Sequence, residues 1–174
     1  MNAITPIEAA LTRAPFDATR NAAAEWRGRC LDVFARTEAA VTETLLLLAA
    51  VKKREAVVKL PHLVGQRYDA LASVIAPAGA FAEEGKRAAG ALAKFRQHDS
   101  LRAFIAHGVF VVTLDRRGRW HLVARVLALR GGRESRALFV TEEGEAAEIL
   151  RALDKAGGDL GSALGQVRQR LCAG

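Results

Sequence analysis

The sequence predicts a mainly α fold: an antiparallel helical bundle with a small antiparallel β-hairpin or meander inserted before the last helix. Two observations predict it. Apolar residues recur at three- and four-residue steps over most of the chain, and between Val109 and Val140 the period changes to two. A third observation bounds the size. The chain has 174 residues, within the roughly 100 to 200 expected of one domain. That length buries about 70% of the unfolded surface without metals or disulfides. With 51% hydrophobic and 26% charged residues, 4 Pro and 15 Gly, the composition excludes long disorder and a collagen-like repeat.

Residues 1–16 carry Pro6 and Pro15 and no stable periodicity, so they read as an N-terminal arm or short leading helix, followed by one domain over 17–174. From Asp17 onward Trp26, Cys30, Val33, Thr37, Val41, Leu45, Leu48 and Val51 form the stripe of a long amphipathic helix. The helix is expected to end near Lys52-Lys53-Arg54, where cations suit a C-terminus. Leu45 to Leu48 advance by about 100° each and cover every face. A partner subunit is the simplest cover for the second face, which points to a homodimer. Leu60 to Ala76 reads as a shorter helix begun after Pro61 and stopped near Pro77. Phe81, Ala88, Leu92 and Phe95 mark a third, and Asp99 is available as N-cap of a further segment, Ser100 to His107, closed by Gly108.

Val109 to Leu114 and Arg119 to Leu127 then form a hairpin around the turn Asp115-Arg116-Arg117-Gly118. The second strand alternates Trp120, Leu122, Ala124 and Val126 with Arg119, His121, Val123 and Arg125, which predicts one apolar and one basic face. Arg130 to Glu134 reads as a Gly-rich loop and Ala137 to Val140 as a third strand, so the insert covers about 109–140. Thr141 is expected to cap the last helix, with Glu142, Glu143 and Glu145 in its first turn. Ala146, Ile149, Leu150, Leu153, Gly157, Leu160, Leu164, Val167 and Leu171 form its stripe. Gly157-Gly158 marks a candidate break, although the stripe stays in phase across it.

The formal net charge is +7. Arg116, Arg117, Arg119, Arg125, Arg130, Arg133 and Arg136 face a single acid, Glu134, over one stretch, a concentration that draws polyanions such as RNA or DNA phosphate. The competing account is a solvated surface. Cys30 and Cys172 have no close cysteine neighbour, which excludes a disulfide framework and a CxxC site. No signal-peptide pattern opens the chain, and the longest apolar run, Leu45 to Val51, is far short of the roughly 20 residues of a spanning helix. The expected location is cytoplasmic, with no membrane partner.

GxGxxG, GxxxxGK, HExxH and GxSxG are all missing, and His62, His98, His107 and His121 have no metal-ligand spacing, so neither cofactor nor metal is expected. The segment Leu101-Arg102-Ala103-Phe104-Ile105-Ala106-His107-Gly108 is different. It places Arg102 and His107 on one helix, about 140° apart, a gap that a long Arg side chain narrows. A helix C-terminus favours imidazolium, making His107 a proton donor, while Arg102 supplies a fixed cation. Together they suit metal-independent RNA cleavage, in which a ribose 2′-hydroxyl attacks the neighbouring phosphate. In the competing account Arg102 pairs with an acid such as Glu38 and His107 caps its helix.

This stretch resembles the Arg-x4-6-His motif of the HEPN superfamily, in its form ending in "AHG". The order of elements, with a long first helix and the motif near the end of the third, looks like the HEPN four-helix bundle over residues 17–171. The resemblance implies a homodimer whose two motifs face each other as one composite, metal-free RNase site, with Arg102 and His107 as the matching positions. It also implies a supporting acid on the first helix, for which Glu38 is the candidate. Arg116, Arg117, Arg119, Arg125, Arg130 and Arg133 would bind flanking RNA backbone. Toxin-type or defence-type use with a cognate antitoxin follows the same resemblance. Ala103 stands where many members carry a polar residue, often Asn. That departure supports the alternative, a catalytically inactive HEPN-like dimerisation or interaction module.

Overall fold

The computed structural model describes residues 6–52, 54, 57–130 and 133–173. It is mainly helical with one three-stranded antiparallel sheet. No helix among the described residues is long and apolar enough to cross a membrane. The residues group into two compact units. One takes the chain through Leu31 together with Ser100–Arg151, and the other takes Asp32–Asp99 together with Ala152 onward.

The helix α1 spans Pro6–Ala49. It therefore starts ahead of Asp17, within the stretch read as an arm or short leading helix, and runs on from there without a break. Alanines at 9, 10 and 14 favour helix without needing an apolar stripe, and Pro is tolerated in a first turn. Lys53 and Gly131-Gly132 of the sequence reading lie outside the described residues.

The second unit is helical. It contains α1 from Asp32, α2 (Val64–Ile75), α3 (Ala82–Phe95), a 3-10 turn (Arg96–His98) and the C-terminal part of α5 (Glu143–Ala173). Its core is the expected stripes: Leu45, Leu48, Leu71, Ile75, Leu92, Leu153, Leu160 and Leu164 are fully buried. Phe95 meets Phe34 edge-on at 5.7 Å and Tyr68 at 6.1 Å between ring centroids. Of the leucine run, Leu45 and Leu48 are buried, Leu47 is half-buried and Leu46 is 55% exposed. Helix α5 does not break at Gly157. A Cβ there would lie 2.7 Å from Val33 Cγ1, so the glycine serves close approach to α1 rather than interruption. Asp99 has helical backbone angles and accepts from Arg96 Nε at 3.2 Å. It continues the chain as helix after the 3-10 turn, and is not the expected N-cap.

The first unit combines α1 up to Leu31, α4 (Asp99–His107) from Ser100, the start of α5, and strands β1 (Val109–Leu114), β2 (Trp120–Arg130) and β3 (Arg133–Glu142) in the order β1-β2-β3. Trp120, Leu122 and Ala124 are buried on one sheet face. There Trp120 lies 6.1 Å from Trp26, whose Nε1 donates to the Ala146 carbonyl at 2.7 Å. Arg130, Arg133 and Glu134 lie in paired strands, Arg130 opposite Arg133, rather than in a loop. Thr141 is buried and still belongs to β3; its hydroxyl donates to Glu145 Oε2 at 3.0 Å. It thus ties strand to helix from one place before the residue that immediately precedes α5, Glu142.

Candidate functional site

The Arg-His segment forms its own short helix, α4. It is apolar on the side of Leu101 and Ile105, which are buried, while His107 at its end is exposed. The Gly108 N–H donates to the Phe104 carbonyl at 2.8 Å. A Cβ on Gly108 would come within 2.4 Å of that same oxygen, so only glycine permits so sharp a passage into β1.

The last carbonyls of α4 are not left for His107. Arg27, on α1, donates from Nε to the Ile105 carbonyl at 2.8 Å and from Nη2 to that of Ala106 at 3.5 Å, and its guanidinium lies 4.3 Å from the Phe110 ring centroid. A cation on unpaired C-terminal carbonyls is favourable, and the flat guanidinium satisfies carbonyls and ring together. Nothing in the sequence singles out Arg27, because its partners are 78 and 79 positions away.

His107 is one wall of a groove of about 630 Å³. Arg125 and Arg136 line it too, beside Val109, Val126, Leu127, Ala137 and Leu138. Strand register explains the gathering. Val109 opposes Arg125, Arg125 opposes Leu138 and Leu127 opposes Arg136, so these side chains share the open face of the sheet. Arg125 is exposed and has no ion pair among the described residues, whereas Arg136 pairs closely with Glu134. No Asp or Glu belongs to the lining. The face predicted to be basic is therefore largely apolar, since β1 and β3 add Val109, Val111, Leu138 and Val140 to it. Alternation along β2 alone cannot reveal what its neighbours contribute.

The other predicted residues are dispersed. Arg102 is half-buried, already engaged, and not part of the groove lining among the described residues. Glu38 belongs to the helical unit, 3.8 Å from Arg67, whose guanidinium also donates to the Pro61 and His62 carbonyls at 3.1 and 2.9 Å. Arg116 and Arg117 are exposed at the β1-β2 turn. Arg119 is held there by Asp115 at 2.9 Å and Glu142 at 3.2 Å. Asp115 organises that turn. It accepts from the backbone N–H groups of Arg119 at 2.9 Å and Arg117 at 2.8 Å, which, with the Arg119 side chain, lower its pKa from 3.8 to about 2. Gly118 supplies the left-handed residue at φ 77°. Arg133 is exposed at the far end of the β2-β3 ribbon, and the Arg130 side chain lies outside the described residues. By register Arg133 points to the opposite face from Arg125. The arginine-rich stretch is thus three separate groups of cations, at the turn, in the groove and at the ribbon end. Among the described residues no cluster of His, Cys, Asp and Glu could hold a metal ion.

Against family models, curated proteins and solved structures, the chain matches none.

Proposed function

We propose that this chain is a HEPN-like protein that acts on RNA as a homodimer, cleaving it without a metal ion in a toxin-type or defence-type role. The observation that supports the reading is the convergence of His107, Arg125 and Arg136 on one groove whose lining holds no Asp or Glu, with Glu134 beside it on Arg136. An imidazole beside an unpaired guanidinium is the minimum such a reaction needs. The ribose 2′-oxygen forms a bond to phosphorus as the bond to the 5′-oxygen breaks. In a paired site one His107 takes the 2′-hydroxyl proton and the other protonates the leaving 5′-oxygen. Arg125 holds the phosphate in this scheme, the role the motif gives to Arg102, because Arg125 shares the groove with His107.

A second reading is favoured by the apolar majority of the lining and by Ala103: the same protein as a non-catalytic interaction module. Cleavage of mixed-sequence RNA in EDTA separates the two. If the first reading holds, the native chain leaves 2′,3′-cyclic phosphate ends and His107→Ala, with fold and association state matched, is slower by about 10²-fold or more. Cleavage unaffected by His107→Ala refutes the catalytic role, and absence of cleavage by either protein favours the module.

A further inference from the structure

We propose that the overhanging part of β2 is a docking edge for an acidic strand of a partner protein, a segment alternating carboxylate and apolar side chains that would lie beside His107 and Arg125. The proposal rests on the edge and the groove, not on RNA cleavage.

Strand β1 pairs with β2 from Trp120 to Arg125 and ends there, opposite Val109. Strand β2 continues to Arg130, paired on its other side with β3. Over 126–130 the side of β2 that faced β1 has no strand neighbour among the described residues, so alternate N–H and C=O groups are open to an added strand. At about 3.3 Å per residue this overhang is on the order of 16 Å long, enough for a five-residue segment in line with β1.

The groove lies beside this edge and has a floor to match. Leu127, on the overhang itself, is 66% exposed, and Val109, at the start of β1, is 67% exposed. These are large apolar residues that a segment's own apolar side chains would cover. Charge decides what else the segment carries. With Arg125 making no ion pair among the described residues and no Asp or Glu in the lining, carboxylates are attracted and ammonium or guanidinium groups repelled. A second copy of this chain is a poor occupant by the same rule, because its own overhang ends in Arg130 and Arg133. A strand seated here would cover Arg125, and so would compete with phosphate for it.

The test uses the full chain and a short labelled peptide alternating Glu with Val, with a Lys/Val peptide and a single-stranded RNA oligonucleotide as rivals. Fluorescence anisotropy should give saturable binding of the acidic peptide alone of the two peptides. Arg125→Glu should weaken it by about tenfold or more. Arg125 is exposed, so this change leaves the core intact; far-UV dichroism checks it. Hydrogen exchange at residues 126–128 should slow in the complex, which side-chain attraction alone would not produce. Equal binding of the Lys peptide, indifference to Arg125→Glu, or binding without slowed exchange at 126–128 each overturns the proposal. Arg125-dependent binding of the oligonucleotide with none of the acidic peptide overturns it too and gives the groove to nucleic acid. The His107 cleavage assay is independent of all these outcomes.

Discussion

In the helical unit most arginines are committed to the protein's own acceptors; in the sheet unit about half of those described are not. Arg67 meets two carbonyls, the Thr42 hydroxyl at 3.1 Å and Glu38, while Arg168 donates to the Ala40 carbonyl at 3.1 Å and Thr44 Oγ1 at 2.9 Å. Arg96 lies 2.7 Å from Asp69, a hydrogen bond that raises its pKa above the ordinary value. Arg116, Arg117, Arg125 and Arg133 are instead exposed with no ion pair among the described residues. The backbone accounts for much of the contrast. Irregular segments such as Pro61–His62 leave carbonyls for a guanidinium to find, whereas a ladder uses the carbonyls along its length. Arg27 supports the rule from within the sheet unit, since the acceptors it found are the last carbonyls of α4. Cations gathered on a sheet thus remain available to a ligand, while those among helices mostly hold the fold.

The sharpest way to break this contrast uses leucines. Leu164→Ala removes a fully buried side chain of the helical unit and should cost about 2–5 kcal/mol. Leu138→Ala, on the open face, should stay within about 0.5 kcal/mol. Urea unfolding of both variants measures the difference, and a large loss from Leu138→Ala would mean that the open face is covered in solution. Next in size is an arginine pair. Arg67→Ala strips several acceptors of their donor and should cost about 1–3 kcal/mol. Arg125→Ala should leave stability within about 0.5 kcal/mol, so equal thermal shifts for the two would erase the distinction. The smallest effect concerns the exposed turn. Asp115 has a folded pKa lowered to about 2 from 3.8. Its contribution is therefore complete above pH 3.8 and is lost as pH falls through about 2. The Arg117 and Arg119 amide resonances should follow that titration in NMR and lose it in Asp115→Asn; a midpoint at the ordinary aspartate value would show the turn to be open.

The parts of the fold legible in the sequence were those specified by one segment's own periodicity. The stripes from Trp26 to Leu48 and from Ala146 to Val167 are buried as their spacing predicts, and the switch to period two at Val109 marks the start of β1. What escaped depends on groups brought together from afar. The cap that Arg27 places on α4 and the apolar residues that β1 and β3 add around Arg125 have no local signature. At the candidate site the reading singled out His107 and Arg125 separately, on different grounds. Register brings Arg125 to the groove and the end of α4 brings His107, so no single segment encodes their meeting. The start of α1 at Pro6 was left open between arm and leading helix for a different reason: periodicity reports burial, and a helix does not require it.

The paired glycines of α5 look interchangeable as letters. Their mutational histories need not be, because a Cβ at Gly157 would crowd Val33 and Thr37 whereas one at Gly158 meets nothing within 4 Å. Drift under selection for folding would hold the first fixed and let the second wander toward alanine or any other helix former. An alignment of descendants of this chain would then show one invariant column beside one variable column. The invariant one would mark where two helices touch, with no role in chemistry at all.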